Sequence, residues 1–182
     1  MKLFMNYKDI LTTYFSQFLV LVGAIGTLVF YFIKRSYDLS SKKVEIKLNL
    51  FFENKLLAVK EYISCYKILE QKYSDTSYHK VVKHVYTVNE MDEMFRPSIN
   101  NLHSAYSNLF LYFNKNELET FEKLHSSAIA MHATFSKFYF DSSPENYSKE
   151  TSDLGMKVVS FIHSNERMLL GLGTMVRKEF TQ

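Results

Sequence analysis

ILTTYFSQFLVLVGAIGTLVFYFI, residues 10–33, contains no charged side chain. Fourteen of its residues are Leu, Ile, Phe or Val. As a helix it would extend about 36 Å at 1.5 Å per residue, against a hydrocarbon core of about 30 Å. Each large apolar side chain favours insertion by several tenths of a kcal/mol, so together they outweigh Gln17 and the hydroxyls by roughly a few kcal/mol. Tyr14 and Tyr31 stand near the two ends, where interfacial aromatics sit. A cleaved signal peptide has a shorter apolar run and ends at small residues, whereas Tyr37-Asp38-Leu39-Ser40 follows here. A core helix of a soluble protein keeps one polar face, and this segment has almost none. The stretch therefore reads as a transmembrane helix that embeds the chain in a lipid bilayer.

Lysine and arginine on either side set the expected orientation. Lys2 and Lys8 precede the span; Lys34, Arg35, Lys42, Lys43 and Lys47 follow it. That asymmetry puts residues 1–9 outside as a short tail and residues 34–182 in the cytoplasm, as in a single-pass protein of a bacterial inner membrane. The same cations could touch anionic head groups, although setting topology is explanation enough. Gly23, Gly26 and Thr27 form a small-residue patch, and Gly23-xxx-Thr27 is a spacing that lets helices approach closely in a homo-oligomer. Gln17 could add an interhelical hydrogen bond.

Outward from the span the chain reads as all-α. Its 182 residues include 5 Gly and 2 Pro, too few for a loop-rich or all-β fold. Residues 42–73 lack both, and Val44, Leu48, Phe51, Phe52, Leu56, Val59, Ile63, Tyr66, Leu69 and Tyr73 recur at helical steps. Whether this helix continues from the span or breaks near Ser36–Ser41 stays open. A turn at Ser74–Ser77 precedes a second helix over 78–113, which Pro97 should kink or divide. Asn116, with Glu119 at the capping-box position, predicts the start of a third helix over about 117–140. Pro144 suits the first position of a fourth helix over 145–180. Four amphipathic helices with short links favour a cytoplasmic antiparallel four-helix bundle.

Chemistry is sparse. A di-iron bundle needs two Glu-x-x-His pairs, and only Glu122-x-x-His125 is present, so no metal is expected. Phosphate-binding glycine loops, Cys-x-x-Cys pairs and nucleophile elbows are missing, so neither a cofactor nor a catalytic residue is assigned. Cys65, the single cysteine, excludes an internal disulfide and reads as a small core thiol. A net charge of +3 is too weak to argue for DNA binding. The abundance of Lys, Asn, Tyr, Phe and Ile without Trp fits an AT-rich bacterial or phage genome. The most suggestive polar group is His79, Lys80, Lys83 and His84. On a helix they would share one face and offer nitrogen donors to an anion, with Tyr78 and Tyr86 placed to stack on a base. A solvated basic face accounts for the same residues.

An N-terminal span followed by a helical cytoplasmic domain is similar to the small membrane-anchored effectors of bacterial anti-phage systems, including CRISPR-associated and retron-associated ones. The resemblance lies in architecture across the whole chain and transfers no functional residue. It implies a non-enzymatic membrane effector or signalling component, in which a nucleotide second messenger or a protein partner acts on the helical domain. The alternative expectation is a membrane-tethered adaptor that recruits another protein through its bundle.

Overall fold

The computed structural model describes residues 7–180; the predicted tail residues 1–6 lie outside them. Five helices occur among the described residues, with no strand: α1 (Tyr7–Asp75), α2 (Tyr78–Val82), α3 (Val88–Leu109), α4 (Lys115–Asp141) and α5 (Tyr147–Phe180). The chain divides into two units, residues 1–50 and 51–182.

In the first unit, the chain does not break near Ser36–Ser41. Helix α1 is unbroken from Tyr7 to Asp75, so the apolar segment and the predicted helix over 42–73 belong to one element. No glycine or proline interrupts it after Gly26. Its described side chains up to Leu50 are exposed, Val20 by 73% and Phe30 by 69%. The apolar segment is long and hydrophobic enough to cross a membrane, and none of its 18-residue window is buried against this chain. A core helix of a soluble protein would be covered, and this one is not.

The second unit is built around one aromatic core. Tyr62, Tyr66 and Tyr73 of α1, Phe95 of α3, Phe121 and Phe135 of α4, and Leu154 of α5 are all buried. Tyr73 is the hub. Its ring stacks on Phe135 with centroids 5.1 Å apart and tilts against Phe95 at 5.2 Å. Phe161 meets it edge-on at 5.9 Å. Buried tyrosines usually pair their hydroxyls, and two of the three on α1 do; the Tyr66 hydroxyl has no hydrogen-bond partner among the described residues. Tyr62 donates to the Phe121 carbonyl at 3.0 Å and Tyr73 to the Ala128 carbonyl at 3.2 Å. The hydroxyls thus fasten α1 to α4 while the rings exclude water.

The helix ends differ from the predicted ones. The segment over 78–113 is not one helix kinked at Pro97. It breaks at Lys83–Thr87, and α3 runs through Pro97. Thr87 caps α3 in a reciprocal capping box with Glu90, a Thr-x-x-Glu signature that starts the helix there. Pro97 is exposed, and so is Glu93, the residue whose carbonyl loses its helical donor there. On that turn Lys72 Nζ also donates to the Met94 carbonyl at 2.7 Å. Helix α4 starts two residues earlier than predicted, because Asn114 rather than Asn116 is the cap. Asn114 accepts from the Asn116 and Glu117 amides, while Glu117 accepts from the Asn114 amide. Glu119 is left to pair with Lys123 at 2.6 Å. Pro144 lies in the turn before α5, not at its first position.

Candidate functional site

Four polar or small-residue groups singled out by the sequence can now be placed. The first is the patch within the span. A methyl group built on Gly23 or Gly26 would meet nothing within 4 Å, so both glycines face open space. Thr27 spends its hydroxyl on its own helix, donating to the Gly23 carbonyl at 2.7 Å. At about 100° per residue Gln17 falls about 120° around from Gly23, so it does not share the small-residue face.

The second group is the basic run after the span. All five cations are exposed on α1, but they split into two sets. Lys34, Arg35 and Lys42 line one surface groove with Tyr31, Asp38 and Leu39. By helical geometry they fit an arc of about 100°, and Lys43 and Lys47 fall on the far side.

The third group is the predicted anionic-ligand face. His79, Lys80, Lys83 and His84 are all exposed, but α2 ends at Val82, so they do not share a helical face. The stop is a Schellman motif: the Val85 amide bonds the Lys80 carbonyl at 2.9 Å, and the His84 amide bonds that of Val81 at 3.1 Å. His84 occupies the position where glycine is usual and takes φ 55°, in the left-handed region. Its ring rests against Tyr139 at 5.2 Å. Lys80 reaches the Tyr86 ring at 5.7 Å, and Lys83 the Tyr147 ring at 6.0 Å. Neither flanking tyrosine is a free stacking platform. Tyr78 packs on Gly155 and Phe135, and the Tyr86 ring packs against the core with Lys80 over its face.

The histidines form the fourth group. His125 stacks on Tyr106 at 4.6 Å, with His103 at 5.6 Å, across the α3–α4 seam. His132 sits against Phe95 at 5.8 Å. Burial pushes the pKa of His125 below its ordinary value, and the neighbouring His103 adds to the effect. Burial lowers that of His132 too, against the opposing pull of Asp92. The lowered pKa values favour neutral rings at His125 and His132, which pack against Tyr106 and Phe95. Among the described residues no cluster of three or more His, Cys, Asp or Glu could hold a metal ion. Cys65 is half-buried, and burial followed by the Glu61 charge raises its pKa, which keeps it a thiol.

Several buried polar residues escaped the sequence reading, Lys55 and Asn165 the most deeply buried of them. Lys55 is 4% exposed, 3.8 Å from Glu117 and 4.3 Å from the centre of the Phe113 ring. Asn165 is 1% exposed and donates to Ser127 Oγ at 2.9 Å beside Tyr66. Both occupy helical positions whose period was visible, but a lysine and an asparagine do not announce burial by type.

Taken together, the class defined is an all-helical protein with one N-terminal helix able to span a membrane. Comparison with protein families, curated proteins and solved structures finds no match to this chain.

Proposed function

We propose that the chain is a single-pass membrane effector or signalling component whose helical cytoplasmic part senses a ligand or partner, in the manner of the membrane-anchored anti-phage effectors its plan resembles. The observation that carries this reading is the continuity of α1. One helix supplies the apolar segment, exposed at each of its described side chains, and, further along, the core residues Tyr62, Tyr66 and Tyr73. A ligand that binds one packing of the core better than another would bias α1, and the bilayer-facing residues are part of that same element. An anionic ligand, such as a nucleotide second messenger, would meet the exposed cations of the α2 corner. No catalytic step is assigned.

The second unit reads best as an antiparallel four-helix bundle with α2 as a corner. Residue numbers rise together along α1 and α4, where Tyr62 meets Phe121 and Tyr73 meets Phe135. They run oppositely along α1 and α3, where Tyr73 meets Phe95 and Tyr62 meets Tyr106. They also oppose across α3 and α4, where Phe95 meets His132 and His103 meets His125. The excess of Lys and Arg after the span supports a cytoplasmic position for this unit, as in a protein of a bacterial inner membrane.

The test is induced expression with a membrane-potential dye, with and without a phage trigger. An effector depolarises cells or arrests growth under at least one condition; no effect under either removes the proposal. Replacing residues 1–35 with an unrelated anchor separates the adaptor alternative, which keeps working after the exchange where an effector stops.

A further inference from the structure

The split of the juxtamembrane cations points to a ligand. We propose that Lys34, Arg35 and Lys42, with Tyr31 at the membrane edge, form a binding face for the phosphate head group of an anionic phospholipid, and that Lys43 and Lys47 stand outside it. This inference rests on residues 10–33 spanning a bilayer. Tyr31, Lys34, Arg35, Asp38 and Lys42 line one groove on α1, and all are exposed.

Position along the helix selects the lipid. The head-group layer is about 5–8 Å thick on each side of the hydrocarbon core. Lys34 and Arg35 directly follow Ile33, the last residue of the apolar run, so they lie at head-group depth. Lys42 is about 12 Å further along, and a lysine side chain reaches back toward the phosphates. Asp38 stands among the three cations, so the face keeps a net charge of about +2. The carboxylate would repel a phosphate placed directly over it, and the favoured position is between Arg35 and Tyr31. Arg35 offers paired N–H donors that match phosphate oxygens, and Tyr31, one turn closer to the bilayer, offers its hydroxyl from the interfacial side. The far-side Lys43 and Lys47 lack a neighbouring interfacial aromatic.

The experiment uses full-length protein reconstituted in phosphatidylcholine vesicles containing a minor fraction of phosphatidylglycerol. The lipid that co-purifies after mild detergent extraction is quantified by mass spectrometry. Two charge-matched variants are compared, R35Q/K42Q and K43Q/K47Q, each checked for unchanged helicity by circular dichroism. The expected result is an enrichment of phosphatidylglycerol that drops roughly tenfold in R35Q/K42Q and stays within about twofold of the starting protein in K43Q/K47Q. Equal losses in the two variants, or no enrichment at all, overturn the head-group face and leave the span of residues 10–33 standing. Release of the lipid by inorganic phosphate at matched ionic strength assigns the cations to a soluble anion and also overturns the proposal. A starting protein that fails to enter the vesicles overturns the membrane reading, and the head-group face with it.

Discussion

Replacing Phe135 by alanine removes the ring that joins three helices. Phe135 is fully buried, stacked on Tyr73 at 5.1 Å and packed against Phe95 at 5.3 Å and Tyr78 at 6.2 Å. Phenylalanine-to-alanine changes in a core cost about 3–5 kcal/mol through lost transfer energy and the residual cavity. Loss of aromatic pairing adds to the deficit, which puts Phe135→Ala near the upper end, at about 4–5 kcal/mol. Rigid neighbouring rings on three sides limit how far the cavity can collapse. For a unit of this size, that deficit corresponds to a fall in melting temperature of roughly 15 °C. The assay is thermal unfolding of the full chain in detergent, followed by near-ultraviolet circular dichroism of the tyrosines, which reports on core packing rather than on helix content. Phe140→Ala is the control, since Phe140 is 64% exposed on the same helix and its loss should move the transition by no more than about 2 °C. A Phe135→Ala transition within about 3 °C of the starting protein, or matched to that of Phe140→Ala, would refute the aromatic hub.

Further outcomes follow from the same geometry. His125 and His132 have lowered folded-state pKa values, so the unfolded chain binds more protons below its ordinary value of 6.5. Their contribution is fully present above that pH and is lost as pH falls through the folded values; melting temperature should drop between pH 7.5 and 5, and the drop should shrink in H125Q/H132Q. An equal drop in that variant contradicts the assignment. His84→Gly relieves the left-handed backbone and should stabilise by roughly 0.5 kcal/mol, after the glycine entropy cost and the lost Tyr139 contact, whereas His84→Val should destabilise by about 1 kcal/mol or more. Equal melting temperatures for the two variants would remove the strain argument. For topology, a membrane-impermeant maleimide should label Asn6→Cys in intact cells and Ser148→Cys only after lysis, both in a Cys65→Ser background; the reverse pattern inverts the orientation.

The all-helical class and the apolar segment were legible because both depend on composition and period. A run without charge needs no tertiary context to be read, and neither does a helical repeat of Val59, Tyr66, Leu69 and Tyr73. Boundaries were harder, since several competing signals share a few residues. Asn114 and Asn116 each precede a glutamate by three residues, and only the first cap is used. Pro97 is the louder breaker in sequence, but the Thr87–Glu90 box and the Schellman stop at His84 divide the region instead. The apparent basic face at 79–84 failed to assemble for that reason: its helical period ended after Val82. Tyr62 was passed over as a core residue because Ile63 fits the same helical step between Val59 and Tyr66, and the acceptor on α4 that Tyr62 uses is not visible in local sequence.

A membrane effector requires residues 10–33 to lie in lipid, and sedimentation measures that directly. Membranes from expressing cells are washed with alkaline carbonate and centrifuged at high speed. The full-length chain should remain in the pellet until detergent is added. A chain lacking residues 10–33 should appear in the supernatant. Full-length protein in the detergent-free supernatant would contradict the span, the orientation and the effector reading at once.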